Sequence, residues 1–333
     1  MRLLVTGGAG FIGSNFIHLV LAERPDWTIV NLDKLTYAGN LANLKDVESD
    51  PRYSFRQGDI CDETTVAEAA AGCDAIVNFA AETHVDRSIM DPIAFLRTDI
   101  MGTYVLLEAV RQGKAGRLLQ VSTDEVYGSI PEGAADEDAP LEPSSPYAAS
   151  KAGADLLVAS FWKTYQAPVV ITRGANNIGP YQYPEKVVAL FVTNALDDLP
   201  LPIYGDGLQA RDYTYVEDHC RGILVALEQG EPGAIYNIGA GNEIPNIDMA
   251  RLLLAAVGKP ESLIKHVKDR PGHDRRYAIN SSKLRALGWQ PRYSGAQALR
   301  ATARWYAESR SWWQPIKSGQ LYREYYRRQY EQR

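Results

Sequence analysis

The segment LLVTGGAGFIG, residues 3–13, limits the possible fold more than any other feature of the sequence. An apolar strand pattern runs directly into glycines at G-x-x-G-x-x-G spacing and then into a helix pattern. Glycines at this point permit a tight turn, close approach of a pyrophosphate and close helix–strand packing. The helix N-terminus also offers free N–H groups to phosphate. We therefore predict a dinucleotide-binding unit, with cofactor contacts from Gly7, Gly10, Phe11, Ile12 and Gly13.

An acidic residue after the second predicted strand indicates the type of dinucleotide. Asp33 in IVNLDK lies about 20 residues after the last glycine, where a carboxylate accepts hydrogen bonds from the adenosine ribose. It would repel a 2′-phosphate, so we predict NAD rather than NADP. A helix cap or turn is the alternative role for Asp33, and the glycines make it less favoured. Further contacts predicted on this side are Lys34, Leu35, Thr36, Asp59 and Ile60, although GDICD alone is equally typical of a turn and a cap.

Short apolar runs alternate with helical patterns through the first half of the chain. Strands are predicted at 3–6, 28–32, 53–57, 75–79, 118–122 and 169–173, and helices at 13–22, 64–71, 92–111 and 146–165. Asp91 and Ser145 precede prolines and are predicted N-caps. This alternation predicts an α/β fold, a Rossmann-type doubly wound parallel sheet with right-handed crossovers.

After Gly174 the sequence becomes rich in proline, glycine and aromatic residues, which predicts a smaller, loop-rich α/β substrate domain. We predict a cofactor domain at 1–175 with a return at about 212–240, and a substrate domain at 176–211 and 241–333. The aromatic and basic tail, 312–333, is predicted to be a solvated amphipathic end helix.

Composition excludes several classes of function. The chain has 333 residues and a formal net charge of −6, which argues against a nucleic-acid surface but not against a small anionic substrate. Its three cysteines show no CxxC or metal-ligand spacing, so we expect no metal, no disulfide framework and a reducing compartment. The N-terminus does not resemble a signal peptide, and no apolar run reaches the roughly 18 residues of a membrane span. A soluble cytoplasmic protein is expected.

The segment SSPYAASKAGAD, residues 144–155, places Tyr147 and Lys151 four residues apart on a predicted helix. Residues at this spacing share a helix face. An ammonium beside a phenol favours phenolate and is expected to lower the phenol pKa. Such a tyrosine can accept a hydroxyl proton while hydride leaves the same carbon. An exposed helical pair is the alternative, and the preceding dinucleotide-binding pattern makes the catalytic role the stronger one.

The segment VSTDEVYGS, residues 121–129, ends a predicted buried strand with a hydroxyl and two adjacent acids, Thr123, Asp124 and Glu125. Neighbouring carboxylates repel each other, so a chemical role is needed to account for them. Ionising one acid raises the pKa of the other, which makes one a base and the other an acid. The alternative is a solvated acidic turn.

TGGAGFIG together with YAASK resembles the extended short-chain dehydrogenase/reductase family. Within it, six segments resemble the dTDP-glucose 4,6-dehydratases in order along nearly the whole chain: NFAAETHVDRSI, STDEVYG, SPYAASKA, NNIGPYQYPEK, RDYTYVEDH and DRPGHDRRYAI. STDEVYG is the most specific, because relatives that only epimerise or reduce usually carry small or hydroxyl residues at Asp124 and Glu125. Two departures are Thr83, where serine is expected, and a short segment at 128–146.

The resemblance implies conversion of dTDP-glucose to dTDP-4-keto-6-deoxyglucose with loss of water. The 4-hydroxyl is oxidised, water is eliminated across C5 and C6, and bound NADH returns hydride to C6. It implies that Glu125 removes the C5 proton and that Asp124 protonates the C6 oxygen. Thr123 would hold the 4-hydroxyl beside Tyr147, and Lys151 would also bind the nicotinamide ribose.

The resemblance implies further contacts as well. Those to NAD are Ala80, Ala81, Thr83, Thr98 and Asn177. Those to the nucleotide sugar are His84, Asn176, Lys186, Val187, Pro202, Ile203, Tyr204, Arg211, Asn246, Arg270 and His273. The helices at 92–111 and 146–165 are expected to form a four-helix homodimer contact, unless both are buried within one subunit.

Other functions stay open at this stage. A 4-epimerase, a decarboxylase and a dehydratase acting on GDP-, CDP- or UDP-hexose share the fold, and the residue pattern alone does not distinguish the base. A non-catalytic dinucleotide sensor is the alternative from another class, although Thr123, Tyr147 and Lys151 argue against it.

Overall fold

The computed structural model describes residues 1–269 and 273–328. Its strands are β1 (Arg2–Thr6), β2 (Thr28–Asp33), β3 (Tyr53–Gln57), β4 (Ala75–Asn78), β5 (Leu118–Thr123), β6 (Val169–Gly174), β7 (Asn176–Ile178), β8 (Leu201–Tyr204), β9 (Ala210–Tyr215), β10 (Ile235–Ile238), β11 (Glu243–Pro245) and β12 (Ile264–Val267). Its α-helices are α1 (Phe11–Glu23), α2 (Glu63–Ala70), α3 (Val85–Met90), α4 (Pro92–Phe95), α5 (Thr103–Arg111), α6 (Pro146–Tyr165), α7 (Val187–Leu196), α8 (Val216–Gln229), α9 (Asn246–Ala256), α10 (Ser282–Ala286), α11 (Gly295–Glu308), α12 (Arg310–Ser318) and α13 (Gln320–Tyr326). A π-helix at Leu96–Gly102 joins α4 to α5, and 3₁₀ turns occur at Leu41–Leu44, Asp124–Tyr127 and Glu261–Leu263.

A seven-stranded parallel sheet in the order β10-β6-β5-β4-β1-β2-β3 forms the centre of the molecule. Alternate side chains of β1 point to opposite faces, so Leu3 and Val5 pack with α1 and α8 while Leu4 packs with α2, α5 and α6. Both faces are therefore buried, as parallel strands require. The doubly wound α/β prediction is confirmed, and each of the six predicted strands lies within one residue of its observed bounds.

The predicted helix at 92–111 is one helical segment whose middle third is a π-helix. Asp99 lies inside this part, and its main-chain oxygen accepts a hydrogen bond from Thr103 Oγ1 at 2.6 Å. The predicted caps differ in outcome. Ser145 Oγ accepts from Ala148 N at 3.1 Å, whereas Asp91 occupies the N-cap position of α4 without a side-chain cap bond.

Around a second core lie a three-stranded sheet, β11-β9-β7, and a two-stranded sheet, β12-β8. Helices α7, α9 and α11 pack on each other there. The chain then returns through α8 to β10, which pairs with β6 of the large sheet, while β9 pairs with β7 and β11. The domain division at 1–175 stays a prediction.

The prediction of a solvated tail is wrong for residues 312–328. Trp313, Tyr322 and Tyr325 are buried, and Trp313 Nε1 donates to Tyr306 O at 2.8 Å. Tyr322 OH donates to Pro184 O at 3.2 Å. The aromatic face of α12 and α13 matches the second core, so burial of large apolar area favours docking over solvation.

Candidate active site

The carboxyl ends of parallel strands meet at one edge of the large sheet, and the predicted reacting residues lie there. The glycine turn between β1 and α1 approaches the end of β4 closely. Gly7 has φ +70°, and a Cβ on it would lie 2.6 Å from Ala80 N; a Cβ on Gly13 would lie 2.4 Å from Gly7 O. Only glycine fits both positions, so the turn leaves its backbone and the start of α1 open to a ligand phosphate.

Asp33 ends β2 beside this turn. Its Oδ2 accepts from Ala9 N at 2.9 Å and its Oδ1 accepts from Leu35 N at 2.8 Å. Burial raises the pKa of Asp33, and these two backbone N–H groups oppose the rise. The carboxylate is thus held in one orientation next to the glycine turn. Lys34 pairs with Asp59 at 2.7 Å, and the buried Ile60 lies close to Gly102, so the predicted adenosine-side residues lie along neighbouring strand ends.

The residues after β4 are ordered by hydrogen bonds to polar groups on three sides. Asn78 Oδ1 accepts from Thr6 Oγ1 at 2.6 Å and from Ala80 N at 3.1 Å. Thr83 O accepts a hydrogen bond from Lys186 Nζ. Ala80, Ala81 and Thr83 therefore lie between the glycine turn and the second half of the molecule, and the half-buried Thr98 lies in the π-helix.

Thr123 ends β5 and caps the short turn that carries the two acids. Its Oγ1 accepts from Glu125 N at 3.2 Å and donates to Asp124 Oδ1 at 3.3 Å. Asp124 is 2% exposed, whereas Glu125 is half-buried. Burial raises the pKa of Asp124 well above its usual value, the charge of Glu125 adds to the rise, and Arg211 opposes it. The two acids differ in environment, as an acid–base pair requires.

Tyr147 and Lys151 lie on α6, facing the end of β5. Lys151 Nζ donates to Val121 O at 2.8 Å. Burial raises the pKa of Tyr147 well above its usual value, the charges of Glu125 and Asp99 add to the rise, and a hydrogen bond with Thr123 opposes it. The pKa of Tyr147 in the polypeptide alone is therefore raised rather than lowered, because burial and the charges of two acids outweigh the hydrogen bond with Thr123.

Asp99, in the π-helix, is a residue of this site that was not predicted from the sequence. Its Oδ2 accepts from Ser150 Oγ at 2.6 Å and its Oδ1 from Glu82 N at 3.0 Å. Burial raises its pKa to about 6, although the Lys151 charge opposes the rise. Asp99 thus orders α6 next to Lys151. The signal in the sequence was an acid, Asp99, in the middle of a largely apolar helix pattern in which the other acid, Glu108, lies near the end.

Asn176 and Asn177 lie in β7, directly after β6. The Oδ1 atoms of both are buried without a hydrogen-bond partner among the described residues. Buried polar atoms are nearly always paired, so these two amides are suited to donors on a ligand, such as sugar hydroxyls.

Two cations face the acidic pair from the second half of the molecule. Burial lowers the pKa of Lys186, and the charges of Glu185 and Glu125 oppose the change. Arg211 donates to Asp274 O at 2.9 Å, and its guanidinium lies 4.2 Å from the centre of the Tyr277 ring, another residue missed from the sequence. The cationic groups and the acids therefore occupy one site.

The remaining predicted substrate contacts form two groups. His84 is buried at the start of α3, 3.5 Å from the Tyr325 hydroxyl. The second group surrounds β8 and the start of α9: the His273 ring is 5.9 Å from Tyr204, and Asn246 Oδ1 accepts from Tyr213 OH at 2.9 Å. Ile203 is buried in the second core, Pro202 is also buried, and Val187 is exposed. Arg270 lies outside the described residues.

Residues 1–269 and 273–328 contain neither a metal-binding cluster nor a membrane-spanning helix. No group of three or more histidine, cysteine or acidic side chains in these ranges is arranged to hold a metal ion. Nor does any helix there combine the length and apolar character that a membrane crossing requires.

Comparison with known proteins relates this geometry to a family. A family model described as GDP-mannose 4,6 dehydratase matches residues 4–302. A dTDP-glucose 4,6-dehydratase of Streptomyces niveus is 49% identical over 323 residues, covering 96% of this chain and 96% of that protein. A protein of the same description from Neisseria meningitidis is 45% identical and covers 96% of each chain.

Solved structures agree with these relatives. The crystal structure of DesIV, a dTDP-glucose 4,6-dehydratase from Streptomyces venezuelae with NAD and dTDP bound, has a TM-score of 0.93 and 51% identity over 95% of this chain and 100% of that chain. A UDP-glucuronic acid 4-epimerase from Bacillus cereus, in complex with UDP-glucuronic acid and NAD, has a TM-score of 0.87 and 30% identity over 92% of this chain and 99% of that chain.

Proposed function

This chain belongs to the nucleotide-sugar dehydratase family within the extended short-chain dehydrogenases/reductases, and we propose that it is an NAD-dependent dTDP-glucose 4,6-dehydratase. The reaction converts dTDP-glucose to dTDP-4-keto-6-deoxyglucose with loss of water. One observation carries the proposal: Asp124 is buried with a raised pKa, beside a more exposed Glu125.

Each residue of the site has a separate role in proton transfer or binding. Tyr147 takes the proton of the 4-hydroxyl, which Thr123 helps to orient. Glu125 removes the C5 proton, which a 4-keto group makes acidic, and Asp124, neutral because it is buried, protonates the departing 6-hydroxyl. NAD, held by the glycine turn and Asp33, supplies a hydride acceptor and a positive charge that opposes the raised pKa of Tyr147.

A 4-epimerase is the second candidate, because the Bacillus cereus epimerase shares the fold at 30% identity. An epimerase needs oxidation and return of hydride at C4 but no acid at C6. The buried Asp124 next to Glu125 therefore favours the dehydratase. Recognition of thymine is supported by the relatives at 45–49% identity that are described as dTDP-glucose 4,6-dehydratases.

The first experiment uses Glu125→Gln, which keeps the shape and removes the base. On rapid mixing with dTDP-glucose, reduced nicotinamide should appear and persist, while loss of water measured by mass spectrometry slows by about 10²–10⁴-fold. In heavy water the wild-type product should carry deuterium at C5. Elimination at the wild-type rate by Glu125→Gln would overturn the assignment.

Asp124→Asn is the matched variant. C5 exchange should survive while departure of water slows. Since Asp124 acts in its protonated form, wild-type elimination should decline as pH rises through its raised pKa. That alkaline decline should be absent from the residual rate of the variant.

A panel of UDP-, GDP- and CDP-hexoses assayed with the wild type tests which nucleotide base the site recognises.

The proposed homodimer rests on exposed apolar side chains on α4, the π-helix and α6. Ile93 is 73% exposed, Met101 54% and Leu156 62% in the single subunit. Pairing the helical segment at 92–111 and α6 with the same elements of a second copy would cover them. Sedimentation should show a dimer for the wild type, a monomer for Leu156→Asp and a dimer for Leu199→Asp, a control at another exposed leucine. A monomeric wild type would contradict the proposal.

A cytoplasmic location is proposed from the thiol chemistry. Cys61, Cys73 and Cys220 are all free, which suits a reducing compartment. Fractionation of cells that produce the protein tests this location.

A further inference from the structure

Arg87 lies outside the reacting groups, yet three separate segments converge on it. Its Nη2 and Nε donate to Glu185 Oε2 at 2.7 and 3.1 Å, and Nε also lies 3.2 Å from Oε1. Its guanidinium carbon lies 3.8 Å from the centre of the Tyr37 ring and 4.7 Å from that of Tyr325. We call Arg87, Glu185, Tyr37 and Tyr325 the Arg87 cluster.

Three members of the Arg87 cluster are close in sequence to a residue with a proposed ligand, and Tyr325 joins them from α13. Arg87 follows His84 by three positions on α3, and Glu185 directly precedes Lys186. Tyr37 directly follows the loop at 33–36, next to the proposed ribose contact of Asp33. The cluster thus joins the cofactor side of the site to its substrate side.

The Arg87 cluster has the properties of a rigid support. The Glu185 side chain is only 1% exposed, so its carboxylate needs a charged partner. A guanidinium satisfies it through more than one N–H and can also stack on aromatic faces, which an ammonium does less well. The Tyr37 ring also meets Tyr183 edge-on at 5.3 Å.

The C-terminal helix α13 closes this arrangement from one side. Tyr325 lies over Arg87, and its ring meets His84 edge-on at 5.5 Å. Tyr322 of the same helix donates to the Pro184 carbonyl, next to Glu185. Helix α13 therefore braces the segments that carry His84 and Lys186.

We propose that Arg87 is a positioning residue, which with Glu185 and the Tyr325 ring holds His84 and Lys186 in place for the nucleotide sugar. The inference rests on the proposed function, because it assigns those two residues to substrate. Arg87 itself takes no part in proton or hydride transfer.

The test compares Arg87→Met with Arg24→Met in the NAD-loaded protein. Arg24 is a matched control: it donates to both oxygens of Glu228 at 2.7 and 2.9 Å and lies 5.8 Å from the centre of the Trp27 ring, away from the site. Both variants should lower Tm. Only Arg87→Met should raise KM for dTDP-glucose and Kd for dTDP, by about tenfold or more, because displaced contacts weaken binding.

Two variants at Tyr325 test the same role independently, in case Arg87→Met does not fold. Tyr325→Ala should raise KM in the same direction, while Tyr325→Phe, which keeps the ring, should stay nearer the wild type. Arg87→Lys should fall between Arg87→Met and the wild type, because it keeps the charge and loses the fork.

The outcomes separate the two proposals. If the wild type fails to dehydrate dTDP-glucose, the proposed function is overturned, and calorimetric binding of dTDP, which needs no turnover, still decides the positioning role. If KM and Kd of Arg87→Met and Tyr325→Ala match those of Arg24→Met, the positioning role is overturned.

Discussion

The two halves of the site differ in how many of their polar side-chain atoms are already hydrogen-bonded within the chain. At the edge of the large sheet, Asp33, Thr123 and Lys151 already use their polar atoms within the chain. Around β7, Asn176 and Asn177 keep buried acceptors with no partner among the described residues. The difference indicates that Thr123 and Lys151 are fixed before a ligand arrives, while Asn176 and Asn177 complete their hydrogen bonds with it; Asp124, whose Oδ2 is also without a partner among the described residues, is the exception among the proposed reacting groups.

Backbone placement explains this difference. The proposed reacting groups lie at the end of β5 and on α6, which packs on the large sheet, so the sheet register, in which Thr123 pairs with Gly174, sets the Cα positions of Thr123 and the acids after it. The binding groups come from short strands, turns and helix starts around the second core. Substitutions in the first half should therefore change kcat, and those in the second should change KM.

The largest expected effect is at Tyr147. Tyr147→Phe removes the proton acceptor and should lower kcat by about 10²–10⁴-fold, with the Kd of NAD nearly unchanged. Turnover by mass spectrometry and NAD titration measure the two quantities. Near-normal turnover by Tyr147→Phe would contradict the comparison of the two halves, because the proton acceptor would then not be Tyr147.

A smaller effect is expected at His219 on α8, which connects the two halves. Neither of its ring nitrogens has a hydrogen-bond partner among the described residues, and burial lowers its pKa to about 3. The unfolded chain therefore takes up a proton near pH 6.5 that the folded protein excludes. The free energy of unfolding should fall by about 2 kcal/mol between pH 7 and pH 5 on this account.

Denaturant unfolding at both pH values measures this loss. His219→Leu should remove it, and His266→Gln, at an exposed position, should retain the wild-type difference between the two pH values. An unchanged difference in His219→Leu would show that the ring is hydrated or paired in solution. Since His219 belongs to the packing rather than to the site, KM should stay the same.

The smallest effect is expected at Asn176. Asn176→Ala should raise KM for dTDP-glucose roughly three- to tenfold with little change in kcat, since one hydrogen bond is lost on binding. Removal of an unpaired buried acceptor should leave stability without substrate unchanged or slightly higher. Asn194→Ala is the opposite case, because Asn194 is bonded to Pro200 O and Lys317 Nζ. Asn194→Ala should therefore lower the free energy of unfolding and leave KM unchanged. If Asn176→Ala also left KM unchanged, the distinction between the two halves of the site would not hold.

Local pattern was sufficient for much of the fold and for the placement of Tyr147 and Lys151 on one helix. The strands of the large sheet were predictable because burial on both faces leaves continuous apolar runs, as in β5 and β6. Tyr147 and Lys151 were predictable because their spacing of four is a property of one helix. The π-helix around Asp99 was not, because its bonds to Glu82 and Ser150 come from other segments.

By itself, the sequence determined the glycine turn, the parallel sheet and the presence of two acids after β5, since each depends on residues within one strand or turn. Tertiary structure alone decided three other features: the raised pKa of Tyr147, the burial of the C-terminal aromatic residues, and the Arg87 cluster. The physical reason is that burial and charge act across space. Tyr37, Arg87, Glu185 and Tyr325 are neighbours only after the chain has folded.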